Sequence, residues 1–271
     1  NADILHHEHE STPTNGNGRA DPRRYAKVSR IAVLAAREAL QDARLNADTL
    51  PRDMGVIVGS GAGGIDVAEQ QYGEFHAGAF HRVSPYAIPV SIVGIVSSEI
   101  SIALGLRGIS HVLSTGCTSS TDAIGYAASL IRHGEADVIL TGGADACATP
   151  GMIFGFGRMR VVATRYNDRP TEASRPFDKG RDGFVLGEGA WLMTLERLDR
   201  ARERGARVYA TVDGYASTCD AYHRVQMDPD GTEIVRAMEL ALERSGRPRE
   251  GRGRTACGRW TKASEGPSPR S

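Results

Sequence analysis

One cysteine in this chain of 271 residues stands apart from the other three by its setting. Cys117 lies in Ser114-Thr115-Gly116-Cys117-Thr118-Ser119-Ser120. The apolar stretch His111-Val112-Leu113 precedes it. A helical pattern from Thr118 to His133 follows, with Ile124, Ala127, Ala128 and Ile131 on one face. A thiol at such a strand-to-helix elbow feels the positive end of the helix dipole, which favours the nucleophilic thiolate. The unpaired amides of the first helical turn can hold an oxyanion. Gly116 and Ser119 are small enough to let a carbonyl approach. On these features alone an inert, packed thiol stays open as a reading, because free cysteine is among the most buried residue types.

The other candidates carry less. Cys147 and Cys219 have no helix-start context and read as packed thiols, and Cys257 sits in a basic tail. The absence of CxxC spacing argues against a zinc knuckle or a dense disulfide framework. His6, His7 and His9 lack a nearby Cys or further His to complete a metal site, so they read as solvated. Gly59, Gly61 and Gly64 match the spacing of a dinucleotide-binding turn, but no strand ending in an acidic residue follows about twenty positions later. An oxidoreductase reading is therefore weak.

The elements that must position Cys117 alternate in type. Val28, Ile31, Leu34, Ala35, Ala39 and Leu40 recur at helical spacing between Tyr25 and Leu45, and Gly55-Val56-Ile57-Val58 follows as a short buried strand. His111-Val112-Leu113 and Val138-Ile139-Leu140 read as inner strands. Phe184-Val185-Leu186 and Trp191-Leu192-Met193 flank Gly187-Glu188-Gly189 as a strand pair or one bulged strand. Leu198 to Arg204 reads as a charged surface helix, Val208 to Val212 as a new strand and Thr232 to Arg244 as a new helix. The apolar run Ala87 to Leu106, broken by Pro89 and Glu99, is expected as a buried core helix and not a membrane span. The alternation predicts a layered α/β core.

Four segments follow: a disordered leader at 1–24, a nucleophile-bearing half at 25–198, the start of a second α/β unit at 199–246, and a tail at 247–271. The tail contains no Val, Ile, Leu, Met or Phe and is expected to be disordered and foreign to the fold. It holds seven Lys or Arg against two Asp or Glu, leaving 26 basic and 31 acidic residues before it, about −5 and no surface for nucleic acid. With 40% hydrophobic and 24% charged residues and no basic-then-apolar leader, the chain is expected to be a cytoplasmic globular protein.

Several blocks, in order, give the chain a resemblance to the β-ketoacyl-acyl-carrier-protein synthases of the thiolase superfamily, from Asp21 to Gly246. They are Gly59-Ser60-Gly61-Ala62-Gly63-Gly64, Ser114 to Gly125, Gly134-Glu135-Ala136-Asp137 leading into Thr141-Gly142-Gly143-Ala144-Asp145, Arg175 to Phe184, and Asp220-Ala221-Tyr222-His223. The Arg175 to Gly189 block resembles the carrier-protein-dependent branch more than thiolases or chalcone-type enzymes. The resemblance implies a thiolase-like α/β/α core, present as the N-terminal half plus the start of the second half. It implies that Cys117 accepts an acyl group from a carrier-protein or coenzyme A thioester. Malonyl carrier protein then decarboxylates and attacks that thioester, in fatty-acid or polyketide synthesis. The partners implied are an acyl carrier protein, acyl and malonyl thioesters, and a second ketosynthase subunit in a homodimer or heterodimer. No metal or redox cofactor is called for.

Phe156, within Gly155-Phe156-Gly157, matches a position lining the acyl pocket, although a Phe between glycines also suits ordinary core. Arg175, Asp178, Arg181 and Asp182 read as a structural ion-pair network at a tight turn. The two histidines, the lysine and the glycine-rich loop that the family uses for decarboxylation belong to its second half and have no counterpart here. His223 matches a different position, Arg224-Val225 departs from the usual Met-Thr, and the opening strand is missing. A truncated, condensation-inactive fragment or scaffold subunit is therefore the main alternative. Apolar surface left open by the missing half is expected to cause aggregation or partner dependence.

Overall fold

The computed structural model describes residues 25–46 and 49–246. The leader with its three histidines, and the tail with Cys257, lie outside the described residues. Two compact units are present, one ending at Arg207 and the other opening at Val208.

The first unit is built on a sheet of β1 (Gly55–Gly59), β2 (Ser110–Leu113), β3 (Val138–Ala146) and β4 (Glu188–Glu196) in the order β2-β1-β3-β4. β1 runs parallel to β2 and β3, while β4 is antiparallel to β3, with Val138 opposite Glu196 and Ala146 opposite Glu188. The connecting helices are α1 (Lys27–Asp42), α2 (Ile65–His76), α3 (Ala87–Ser91), α4 (Ile95–Leu104), α5 (Ser119–Arg132) and α6 (Pro150–Arg158), and α7 (Leu198–Glu203) closes the unit. A central parallel strand covered on both faces has no polar side, and all five residues of β1 are buried.

Alternation along the strands sends side chains into two cores. Val56, Val58 and Leu140 join Val28, Ala32, Val33 and Ala36 of α1 and Val96 and Ile100 of α4. On the opposite face Ile57 and Ile139 pack with Ala123, Ala127 and Leu130 of α5. The unit is thus a helix, sheet and helix sandwich. On β4, Ala190 and Leu192 pack towards α1 and Leu195 towards α5. Trp191 and Met193 share the face of Leu195, yet Trp191 is 76% exposed.

Three elements differ from the sequence expectation. The run Ala87 to Leu106 is two helices, because Ile92 takes an extended conformation between them. It buries Val90, Val96 and Ile100 but exposes Ile88, Ile92 and Ile102, so it is a partly covered pair and not one core helix. Phe184 to Leu186 form no regular strand. Phe184 makes a single bridge to Val162, and regular pairing starts at Glu188. Finally, Val208 to Val212 are not a strand. A strand needs a neighbour to take its backbone hydrogen bonds, and the described residues of the second unit hold none.

The second unit is described as one long helix, α8 (Thr232–Arg244), with an irregular segment laid along it. A Cβ on Gly214 would lie 2.1 Å from the Ala241 carbonyl oxygen, showing how closely the two run. Thr218 Oγ1 donates to the Glu233 carbonyl at 2.7 Å, and Arg244 donates to the Tyr215 carbonyl at 3.0 Å.

Candidate active site at the carboxyl ends of the parallel strands

Because β2, β1 and β3 are parallel, their carboxyl ends open at one edge of the sheet, where α/β proteins place their ligands. β2 leads into the Cys117 turn, β1 into the Gly59 to Gly64 turn, and β3 into Asp145 and then α6.

Cys117 is exposed, in a single tight turn (Gly116–Thr118) that runs directly into α5. Gly116 adopts φ +67°, a conformation in which a side chain would be strained. The backbone on either side is fastened. Ser119 Oγ accepts the Thr115 N–H at 3.0 Å and donates to the Gly116 carbonyl at 2.6 Å. Thr115 and Thr118 both donate their hydroxyls to Oδ2 of Asp122, at 2.9 Å for Thr118. Asp122 and Ser119 are buried, so the anchors lie inside while the thiol remains outside.

The approach of α5 to the sheet depends on two glycines. A Cβ at Gly59 would lie 2.3 Å from the Ser119 carbonyl carbon, and one at Gly143 would lie 1.9 Å from Ser120 Oγ. Any side chain at either position pushes the first turn of α5, and Cys117 with it, off the sheet.

The Gly59 to Gly64 turn closes on Asp145 instead of standing open. Asp145 Oδ1 accepts Ser60 Oγ–H at 3.0 Å and the N–H groups of Gly61 and Ala62 at 3.0 and 3.1 Å. The Gly63 N–H donates to Ser60 Oγ and the Gly64 N–H to the Ser91 carbonyl. All four amides are committed within the protein, so the turn has none to offer a pyrophosphate. A Cβ on Gly61 would sit 3.7 Å from the Gly116 carbonyl oxygen, which places this turn beside the Cys117 turn.

Phe156 is half-buried on α6, its ring edge-on to Phe184 with centroids 5.1 Å apart. Cys147 is half-buried, and burial, followed by the charge of Asp145, pushes its thiol pKa up. Cys219 is exposed in the second unit, away from a helix start. The His223 ring accepts the Val225 and Gln226 N–H groups through Nδ1, both at 3.1 Å.

The Arg175 to Asp182 network is only partly as expected. Arg175 faces Glu172 and Asp178 at 3.6 and 3.7 Å, and Arg181 donates to the Asp178 carbonyl. Asp182 turns instead to Arg165, accepting the Thr164 and Arg165 N–H groups at 2.7 Å each and the Arg165 side chain at 2.6 Å. Those backbone bonds, with the guanidinium, lower its pKa to about 2. Among the described residues no cluster of His, Cys, Asp and Glu could hold a metal ion. No helix among them is long and apolar enough to cross a membrane.

The family described as Beta-ketoacyl synthase, N-terminal domain, matches residues 7–201. This chain belongs to the β-ketoacyl synthase family. It is 40% identical over 228 residues to 3-oxoacyl-[acyl-carrier-protein] synthase 2 of Vibrio cholerae, covering 83% of this chain and 55% of that protein. It is 41% identical over 229 residues to the synthase of the same name from Synechocystis, covering 84% and 55%. A solved type II polyketide ketosynthase, bound to a hexaketide and in complex with its acyl-carrier protein, superimposes with TM-score 0.77 at 29% identity, covering 82% of this chain and 56% of that one. A β-ketoacyl synthase from Burkholderia phymatum gives TM-score 0.76 at 32% identity, covering 87% and 57%. The family core is therefore the thiolase-like α/β arrangement, and the chain spans about half the length of the synthases it matches.

Asp122 and Asp145 fall within the motif blocks, but neither they nor Arg165 showed in the sequence which partners they hold. Their partners are backbone amides, hydroxyls and one carboxylate brought together by the fold.

Proposed function

We propose that this chain supplies the acyl-accepting part of a cytoplasmic β-ketoacyl synthase, with Cys117 as the nucleophile. The observation that carries this reading is an exposed thiol at the first turn of α5, between buried anchors and above a floor of glycines. The cysteine gives up its proton, its thiolate attacks the carbonyl carbon of an acyl thioester, the C–S bond to the carrier breaks, and the carrier leaves as a thiolate that takes up a proton from solvent. Amides of the first helical turn stabilise the tetrahedral oxyanion. Malonyl carrier protein then loses carbon dioxide, and its α-carbon attacks the acyl-cysteine carbonyl. A carbon–carbon bond forms, the cysteine thiolate is released, and a 3-oxoacyl carrier protein leaves.

An acyl carrier protein is the partner this reading requires, in line with the complex formed by the polyketide relative. Among the described residues β2 is an edge of the sheet with no further strand beside it and with Ser110 and His111 exposed, which supports pairing with a second ketosynthase subunit. Phe156 lines the acyl chain's path from α6.

The test is incubation of the chain with an acyl donor and malonyl carrier protein, followed by mass spectrometry of the carrier. A 3-oxoacyl carrier that vanishes with Cys117→Ala supports the full condensation. Acylated Cys117 with no 3-oxoacyl product favours a chain that loads but does not condense, and product formation by Cys117→Ala sinks the assignment.

A further inference from the structure

Helix α6 buries none of its nine residues. Only Met152 and Phe156 are half-buried, Phe156 edge-on to Phe184, so the helix gains little from packing and its place depends on how its ends are held. Its first residue, Pro150, has no N–H to satisfy. Thr149 caps the helix by accepting the Met152 N–H at 3.4 Å. Two acceptors come from elsewhere in the chain. Glu188 at the start of β4 accepts the Ala148 N–H at 3.2 Å and pairs its other oxygen with Lys27. Glu69 of α2 accepts the Gly151 N–H at 2.9 Å. That approach depends on the missing side chain at 151, since a Cβ there would lie 2.8 Å from Glu69 Oε2. The carboxylate also faces the positive end of the α6 dipole.

We propose that Glu69 is a positioning residue. By holding the Gly151 N–H it fixes where α6, and with it Phe156, stands at the mouth of the site, and so sets which acyl chains reach Cys117. The inference rests on the acyl-thiol reading above and adds the residue that tunes its selectivity.

Two measurements on the full chain test it without requiring condensation. Hydrogen exchange read by mass spectrometry over the peptide 149–158 reports the tether. The ratio of Cys117 labelling by a long-chain N-alkyl iodoacetamide to labelling by iodoacetamide reports the path to the thiol. With Glu69→Ala, exchange at Gly151 to Ile153 is expected to rise roughly tenfold and the labelling ratio to change by roughly threefold or more, with the iodoacetamide rate unchanged. Glu69→Gln keeps an acceptor oxygen and restores most of both values. Faster exchange with an unchanged ratio overturns the selectivity role, and no change in either overturns the tether as well. If the unaltered chain shows no preference between the two probes, the acyl-pocket reading fails and the selectivity inference with it, while the exchange data still report separately on Glu69 and α6.

Discussion

Around Cys117 the chain is fixed by burial: Ser119, Asp122, Ala123 and Ala127 of α5 are buried, and the helix rests on Gly59 and Gly143. In α6 and the segment from Val161 to Gly187, carboxylates hold several of the backbone groups, beside the Phe156–Phe184 ring contact and the Val162–Phe184 bridge. Glu69, Glu188 and Asp182 take backbone N–H groups there, and Arg175 stacks over Tyr166 at 4.4 Å while that ring's hydroxyl donates to the Gly180 carbonyl. A nucleophile gains from a fixed position. On the proposed reading α6 borders the acyl chain's path, and a wall with that task gains from a position that polar contacts can adjust.

The comparison breaks most visibly in the core beneath Cys117. Ile139 is fully buried on β3 in one cluster with Ala123 and Ala127 of α5, and Ile139→Ala is expected to cost about 4 kcal/mol through lost transfer energy and the cavity left behind. Gly59→Ala forces a methyl against the backbone of Ser119 and is expected to cost about 3 kcal/mol, with slower Cys117 labelling in whatever folds. Urea unfolding followed by circular dichroism measures both. If either variant melts like the original chain, burial is not what holds the nucleophile turn.

Asp122→Ala is the next step down. It strips the charged acceptor from the Thr115 and Thr118 hydroxyls and is expected to cost about 2 kcal/mol, the scale of hydrogen bonds to an ionised group. Cys117 labelling should change with it, whereas the exchange of α6 should not. Equal effects on both regions would erase the contrast between them.

Acid sharpens the contrast in the other direction. Asp182 ionises at about 2 in the folded chain against an ordinary 3.8, so its ionised form is the one the fold favours. The stabilisation is complete above about pH 4 and is lost as pH falls towards 2. The Val161 to Gly187 segment is expected to become sensitive to pepsin across that window before the core around α5 opens, and Asp182→Asn should open the same segment to a neutral protease such as thermolysin at pH 7. Simultaneous opening of both regions would count against separate anchoring.

The nucleophile half of this picture was legible in the sequence because its signals are local. Apolar runs at Val56 and Val112, helical spacing from Ile124 to Ile131, and glycine at 59, 116 and 143 all lie within or beside the elements they shape. The carboxylate half was not. Glu69 reaches Gly151 and Asp145 reaches Gly61 across more than eighty residues, and a surface-type Glu or Asp shows no sign of such a partner in the sequence. Asp182 was placed in a network with Arg181, but the fold turns it to Arg165, because the Val162 to Phe184 bridge brings the two chain segments together. Val208 to Val212 has strand composition without a strand, since pairing depends on a neighbour and not on propensity.

The most direct measurement is intact-protein mass spectrometry of the chain and its Cys117→Ala variant after incubation with an acyl coenzyme A alone. One acyl group on the original chain, mapped to the peptide containing Cys117 and absent from the variant, is the expected result. Acylation at Cys147 or Cys219 in preference to Cys117, or equal acylation of the variant, would contradict the central claim that the α5 elbow makes this thiol the nucleophile.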